Sequence, residues 1–579
     1  MSVVAEIPSR RKRSFIPEDF RVTNWEAIKP FFDELMAAPL DTIEQVEGWL
    51  RQSSELEYIL TEDKAWRYIR MTCDTEDQEI KEHFQVFVRD IMPHLSKAGN
   101  ELQKKLYSSA GFAQLDSDHY MILIRNIKNS IELFREENIP LETEVRQRAR
   151  EFDEISGGLF IEEDGQKLTL QMGAVYLESS DRSERKRIWQ KMTDARFAKR
   201  EALDELFGDL VKKRHQIAVN AGFKDFGAYM FRRLGRFDYT REDCEEFHRS
   251  IEIVVKPMLK KIAENRRQRL GVDVLRPWDL SVDEFGHEKL QPFENTGELL
   301  QITRNIFNRL NPKFASMLDA MQTLGTLDLD SRLGKAPGGY NYSLPETGAP
   351  FIFMNAVGSQ RDMTTMLHEG GHAIHSFSTN HLDIAEFSRL PSEIAELASM
   401  SMELMALDHY EEIYADPALR ARAQREQLLS PINILPWIAT IDAFQFWVYD
   451  NPDCSHKERG DKFVEIYKRF HGDYISWDGY EEVLSTYWHR QGHVFEVPFY
   501  YIEYAIAQLG ALAVWRNYRD NAEQGLGDYQ KALTLGYTRP IPEMYNAANV
   551  NFDFSEGYFR ELMEFLVREL DKVEQSVPN

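Results

Sequence analysis

Cysteine is scarce in this chain: three in 579 residues, Cys73, Cys244 and Cys454, with no CxxC among them. An odd number so widely spaced argues against a disulfide framework and fits inert thiols in a reducing compartment, the cytoplasm. Positive charge is also short. Lys and Arg total 70 against 95 Asp and Glu, a net charge of −25. A surface of that sign repels nucleic acid and anionic membranes, so neither is an expected partner. Long apolar runs are missing. The most apolar stretch, 429–449, is broken by Asn433, Pro436, Asp442 and Gln445, which marks a buried helix rather than a membrane span. The basic run Arg10, Arg11, Lys12, Arg13 is followed by Pro17, Glu18 and Asp19 instead of an apolar segment. It reads as a solvated tail with no export signal.

What is present is a large amount of helix. With 43% hydrophobic and 28% charged residues, the chain can bury a sizeable core. At 579 residues it should divide into two or more subdomains. Segments 24–36, 81–107, 182–222 and 556–574 carry apolar residues at three- and four-residue steps, with charges on the other faces. Strand signals are few: 167–178 could open as a short strand, and 349–357 is a compact apolar run after a Gly- and Pro-rich loop. The expected fold is mainly α with a small β-sheet. A polar stretch near residue 180 opens a long helix and divides the chain into an N-terminal helical region, 1–180, and a second region, 181–579.

The chemistry lies in "TTMLHEGGHAIHSF", residues 364–377. On a helix, His368 and His372 are four residues apart, about 40° of rotation and one turn of rise, so both imidazoles can grip one cation. Glu369 lies about 60° round the helix from His372 and reaches the open coordination position. This is the HExxH pattern of zinc peptidases, in which the glutamate acts on water held by the metal. Gly370 and Gly371 sit between the ligands, each disfavouring helix by about 1 kcal/mol. Small side chains there would let another helix approach closely.

A catalytic zinc needs a third protein ligand. The longer HExxHxxGxxH pattern fails, because His375 stands where Gly is required and Ser378 where His is required. The remaining source is a second helix, opened by Pro391 and Ser392, on which Glu393, Glu396 and Glu403 share roughly one face. In the block 489–510, His493 precedes Tyr500, Tyr501 and Tyr504. Tyr501 and Tyr504 are three apart, so their hydroxyls can point the same way. His489 is a weaker alternative to His493. His375, His381 and His409 lack ligand spacing and read as packing or surface residues.

"HEGGHAIHSF" followed by "IAELASMSME" resembles the thimet oligopeptidase and oligoendopeptidase F family of zinc peptidases. The resemblance extends over 335–377, 391–405 and 489–510. It implies Glu396 as the third ligand to a single Zn2+, with Glu403 orienting a ligating histidine. It implies His493, Tyr501 and Tyr504 as donors to the oxyanion of peptide hydrolysis. It implies an exposed edge strand along the site, Phe351, Ile352, Phe353 and Met354, preceded by Gly338, Gly339 and Tyr340. The residues alone fit a buried strand equally well. It also implies a two-lobed body around a deep cleft, with the sheet beside the metal, that hydrolyses internal bonds of short unfolded peptides. A peptidyl-dipeptidase or carboxypeptidase mode, or a peptide-binding protein with a vestigial metal site, are the alternatives. The family usually has a bulkier residue where this chain has Gly370.

Overall fold

A computed structural model describes residues 8–575. The chain is mainly α-helical, with one two-stranded and one three-stranded sheet among the described residues. All three cysteines are free thiols.

Four N-terminal helices (Trp25–Ala37, Ile43–Cys73, Met92–Tyr107 and Met121–Leu133) pack around their own apolar cluster, which includes Ile28, Leu35, Trp49, Phe87 and Leu106, and a fifth, Gln78–Val86, buries none of its residues. Local chemistry sets several helix starts. Asn24 accepts from the Ala27 N–H, and Thr42 forms a capping box with Gln45. The periodic stretch 81–107 is interrupted by a π-turn at Phe87–Ile91, just before Pro93. A proline lacks the N–H of a regular turn and crowds the carbonyl four residues back, and a widened turn accommodates both.

A second, larger core extends from Ile122 to Leu566. The long helix expected over 182–222 is two, Arg182–Phe197 and Arg200–Asn220. Both reach the main core, the first through Trp189. Arg185 on the first is buried against Asp279, while Leu203, Phe207 and Val211 on the second enter the main core. Segment 429–449 lies within the helix Pro417–Asp450, whose Pro431 and Pro436 are both buried. No helix of the described residues is long and apolar enough to cross a membrane.

The expected strand at 167–178 is short: Gln166–Thr169 pairs antiparallel with Phe160–Glu163, and helical turns follow. In the three-stranded sheet, Phe351–Ala356 is the central strand. It pairs parallel with Leu327–Asp330 on one side and antiparallel with Tyr340–Tyr342 on the other. The reading of 351–354 as an exposed edge strand is therefore corrected. Phe351, Ile352, Phe353 and Met354 are all buried, as a four-residue apolar run with neighbours on both sides should be. The two edges belong to Leu327–Asp330 and Tyr340–Tyr342.

The basic run near the N-terminus is also corrected. It is not a solvated tail. Arg10 and Arg13 pair with the buried Glu346, and Arg11 donates to the carbonyls of Pro345 and Asn380 while lying over the Tyr58 ring. Glu62 accepts from the backbone N–H groups of Glu346 and Thr347. Four charged side chains thus fix the segment that joins the edge strand to the central one.

Candidate active site

The central strand runs directly into the motif helix, Gln360–Ser378. Ser359 caps it, and Asp362 closes the box by accepting from the N–H groups of Val357 and Ser359 at 2.9 Å each. The helix therefore starts at a fixed place and angle. Against it packs the ligand helix, Ser392–Ala406, and against that the tyrosine helix, Ile502–Asp520.

The two glycines have different neighbours. A Cβ on Gly371 would fall 2.6 Å from Ser399 Cα and 2.9 Å from the Ala398 carbonyl. Only glycine lets the ligand helix come that close. A Cβ on Gly370 would fall 2.4 Å from the Phe307 ring. Phe307, on the helix Thr296–Leu310, fills the volume a larger residue at 370 would occupy.

Close approach brings together His368, His372 and Glu396, with one ligand atom of each lying within 4.8 Å of the others. Glu396 Oε2 is 3.3 Å from His368 Nε2 and 3.7 Å from His372 Nε2. The Ser399 hydroxyl donates to the same oxygen at 3.1 Å. His368 Nδ1 lies 2.6 Å from Glu403 Oε1, and Gln427 holds the other Glu403 oxygen at 2.7 Å. A proton on Nδ1 leaves the His368 Nε2 lone pair aimed at Glu396 and free for a cation. Two imidazole nitrogens and a carboxylate oxygen converging this way suit one divalent ion, and zinc fits the donor set.

The electrostatics of the cluster are strained. Burial opposes the charging of His368, but hydrogen bonds to Glu396 and Glu403 outweigh it and raise its pKa well above the ordinary value. Burial pushes His372 down to about 4. Burial also pushes Glu369 up to about 7, against the pull of His368. Glu369 Oε2 is buried and has no hydrogen-bond partner among the described residues. A buried carboxylate oxygen left open is costly unless something else occupies its site. The Glu369 backbone carbonyl accepts from Asn341 Nδ2 at 3.2 Å, which ties the edge strand to the motif helix at that residue.

His493, Tyr501 and Tyr504 also come together. The His493 ring centroid is 4.8 Å from Tyr501 and 6.1 Å from Tyr504. Burial raises the Tyr504 pKa, and Glu396 raises it further, so the phenol stays protonated beside the acid. Tyr500 shares this environment, feeling Glu396 as well and packing 5.4 Å from Tyr504. Sequence reasoning named Tyr500 but gave it no role. The signal was its place in the "YYIEY" run.

Two further residues were not anticipated, Gln491 and Trp437. The Trp437 indole N–H, which can only donate, gives its hydrogen bond to Gln491 Oε1 at 2.8 Å. That fixes the amide orientation, so Gln491 Nε2 donates to His493 Nδ1 at 2.6 Å. His493 must then carry its proton on Nε2, which makes Nε2 a hydrogen-bond donor. His489 is elsewhere: it is buried beside Asp204. His375 is buried with neither ring nitrogen paired; His381 is exposed, and His409 bonds Tyr518.

The backbone ahead of the tyrosines is unusual. Phe499 is fully buried and has φ = 67°, a left-handed conformation rare outside glycine. Its N–H donates to Gln445 at 2.8 Å, and its carbonyl accepts from Arg236 at 2.6 Å. The same guanidinium pairs with Glu503, at the start of the tyrosine helix, at 2.7 Å. Strain of this kind persists only where neighbours over-determine it.

A model of peptidase family M3 matches residues 175–564, and the M3 N-terminal domain matches 15–134. An oligoendopeptidase F homolog from Mycoplasma genitalium is 22% identical over 388 residues, 62% of this chain and 61% of that protein. The chain thus matches less than two thirds of that relative's length. The fold is similar to a solved structure of PZ peptidase A with an inhibitor, with a TM-score of 0.88 and 26% identity over 96% of this chain and 100% of the other. A putative oligoendopeptidase F from Bacillus anthracis shares the fold, with a TM-score of 0.84 and 23% identity over 98% of this chain and 100% of that one. With a match covering most of its length from residue 175 onward, the chain belongs to peptidase family M3.

Proposed function

We propose that this protein is a zinc-dependent oligoendopeptidase that hydrolyses internal bonds of short unfolded peptides. The observation that supports this best is the convergence of His368, His372 and Glu396 beside the buried, unpartnered Glu369 Oε2. Those three residues would hold one Zn2+, with Glu403 orienting His368. When bound, the ion acts as a Lewis acid on the scissile carbonyl and acidifies water. Glu369 accepts the proton of the attacking water and delivers it to the leaving amine. A carboxylate raised towards neutrality suits both transfers. Tyr501, Tyr504 and the Nε2–H of His493 donate to the oxyanion that develops in the tetrahedral intermediate, each worth about 10²–10³ in rate.

The substrate pairs as an added strand. Of the sheet's two edges, Tyr340–Tyr342 is the one tied to the motif helix at Glu369 and the one we assign to the substrate, with Gly338 and Gly339 leading in and the buried 351–354 strand behind it. Backbone pairing tolerates many side chains, which suits a broad peptide preference. The division near residue 180, with a catalytic region over 181–579, belongs to the same proposal, as do a two-lobed cleft enclosing the site and the cytoplasm as the place of action. Mass-spectrometric mapping of cuts in a defined peptide mixture, with and without a chelator, tests the reading. Internal cuts that vanish on chelation and return with zinc are expected. Cuts that persist at full rate without metal would remove the His–His–Glu cluster from the reaction.

A further inference from the structure

Tyr501 and Gln491 line one end of a cavity of about 620 Å3. Its other walls are part aliphatic and part aromatic (Trp437, Tyr467, Tyr474 and Tyr487); the one acid in the lining, Glu284, is paired with Arg266 and Arg425, and Arg490 stands exposed at the aromatic part. In a chain with 95 acidic residues against 70 basic ones, an arginine lacking an acid is informative. Among the described residues Arg490 forms no ion pair: its guanidinium donates to the Tyr487 hydroxyl and lies over that ring at 4.8 Å. Beside it is a second guanidinium, Arg196, half-buried on the helix Arg182–Phe197, with no side-chain hydrogen bond or ion pair among the described residues. Burial lowers the Arg196 pKa, and the charge of Arg490 lowers it further. Arg490 is exposed and Arg196 half-buried; like charges near one another repel, and an anion placed before them lowers that repulsion. Arg490 is also near enough to Tyr501 to oppose the rise that burial imposes on that phenol, which is pushed up to about 12.

We infer that Arg490, backed by Arg196, binds a carboxylate of the peptide substrate within a few residues of the scissile bond. This rests on the peptidase reading above and sharpens its substrate class. Two sources share that chemistry. A free C-terminal carboxylate would bias the enzyme towards releasing short C-terminal fragments. An Asp or Glu side chain would leave cleavage internal and set a sequence preference.

The test uses one peptide in four forms: free acid, C-terminal amide, and each of these with its Glu changed to Gln, the Glu being moved one to four residues either side of the cut. Cleavage rates are measured for the wild type, Arg490→Gln and Arg490→Lys. A charge-assisted hydrogen bond of this type is worth about 10–100-fold in kcat/KM. Removing one of the two carboxylates should cost the wild type that factor and cost Arg490→Gln less than about twofold, with Arg490→Lys between. Loss on amidation identifies the terminal carboxylate, and loss on Glu→Gln the side chain. A wild type indifferent to both, or an Arg490→Gln enzyme that discriminates as the wild type does, overturns the inference. Calorimetric binding of the same peptides to the Glu369→Gln protein separates the two levels. If no peptide is cleaved yet carboxylate-dependent binding disappears in Glu369→Gln/Arg490→Gln, the site stands and the hydrolase reading falls.

Discussion

Glu393 and Glu396 lie three residues apart on the ligand helix, both buried, and yet belong to different machines. Glu393 is closed in. It accepts from the Tyr239 hydroxyl at 2.6 Å, beside the Arg236–Glu503 pair. That cluster ties the ligand helix to the tyrosine helix and holds Phe499 in its left-handed conformation. Glu396 is left open. Apart from Ser399, its carboxylate faces two imidazoles at 3.3 and 3.7 Å. The difference teaches that burial alone does not mark a functional acid. A buried acid whose partners are all supplied by the protein holds structure together, and one that faces other cation-binding groups is a candidate site.

The largest effect that sharpens this comparison lies next to it. Glu369→Gln should lower kcat by about 10²–10⁴-fold while bound metal, measured by elemental mass spectrometry, stays at one ion per chain. Turnover close to wild type would take Glu369 out of the proton transfers. Next, Glu396→Gln should lose the metal and keep the fold. Glu393→Gln should keep the metal and lose about 1–3 kcal/mol of stability in chemical denaturation. The opposite pattern would break the comparison outright.

How much of this was legible in the sequence follows from range. His368, Glu369 and His372 are one turn apart, so helical geometry alone puts them together. Glu396 against Glu393 was not decidable that way. The choice depends on Tyr239 and Arg236, more than 150 residues upstream, and only a family resemblance favoured Glu396. Gly370 and Gly371 both read as room for another helix, but the partner of Gly370 was not legible because Phe307 lies on a helix far upstream. Strand order failed for the same reason. An apolar run announces a strand, but whether it is central or at the edge is decided by what pairs beside it. The arginines at 10–13 read as a tail because Glu346 is far away in sequence.

A smaller effect probes the closed cluster by pH. Burial, and then Glu393, push Glu503 up to about 8 in the folded protein, against the opposing pull of Arg236; its ordinary value is 4.5. Between those values the folded chain binds more protons than the unfolded one, so its stability falls as pH rises from 4.5 towards 8. The slope is at most about 1.4 kcal/mol per pH unit. Glu503→Gln should flatten it in denaturation curves taken across that range. An unchanged slope would mean that Glu503 is ionised throughout.

The smallest expected effect concerns packing. Gly370→Ala gains helix propensity but meets the Phe307 ring, for a net loss of about 1 kcal/mol. Phe307→Leu in the same chain should recover part of it. If the double variant is no more stable than the sum of the single changes predicts, the two residues do not compete for one volume.

On the proposed strand pairing, the Asn341 contact to the Glu369 carbonyl would make the sheet edge a ruler. Successive residues of a strand face opposite ways, so a peptide lying on this edge can shift only by two residues at a time if its side chains are to keep their sides. Each such shift is about 7 Å, while Glu369, the proposed base, stays at a fixed mark. Secondary cuts in a single peptide should then fall an even number of residues from the primary one.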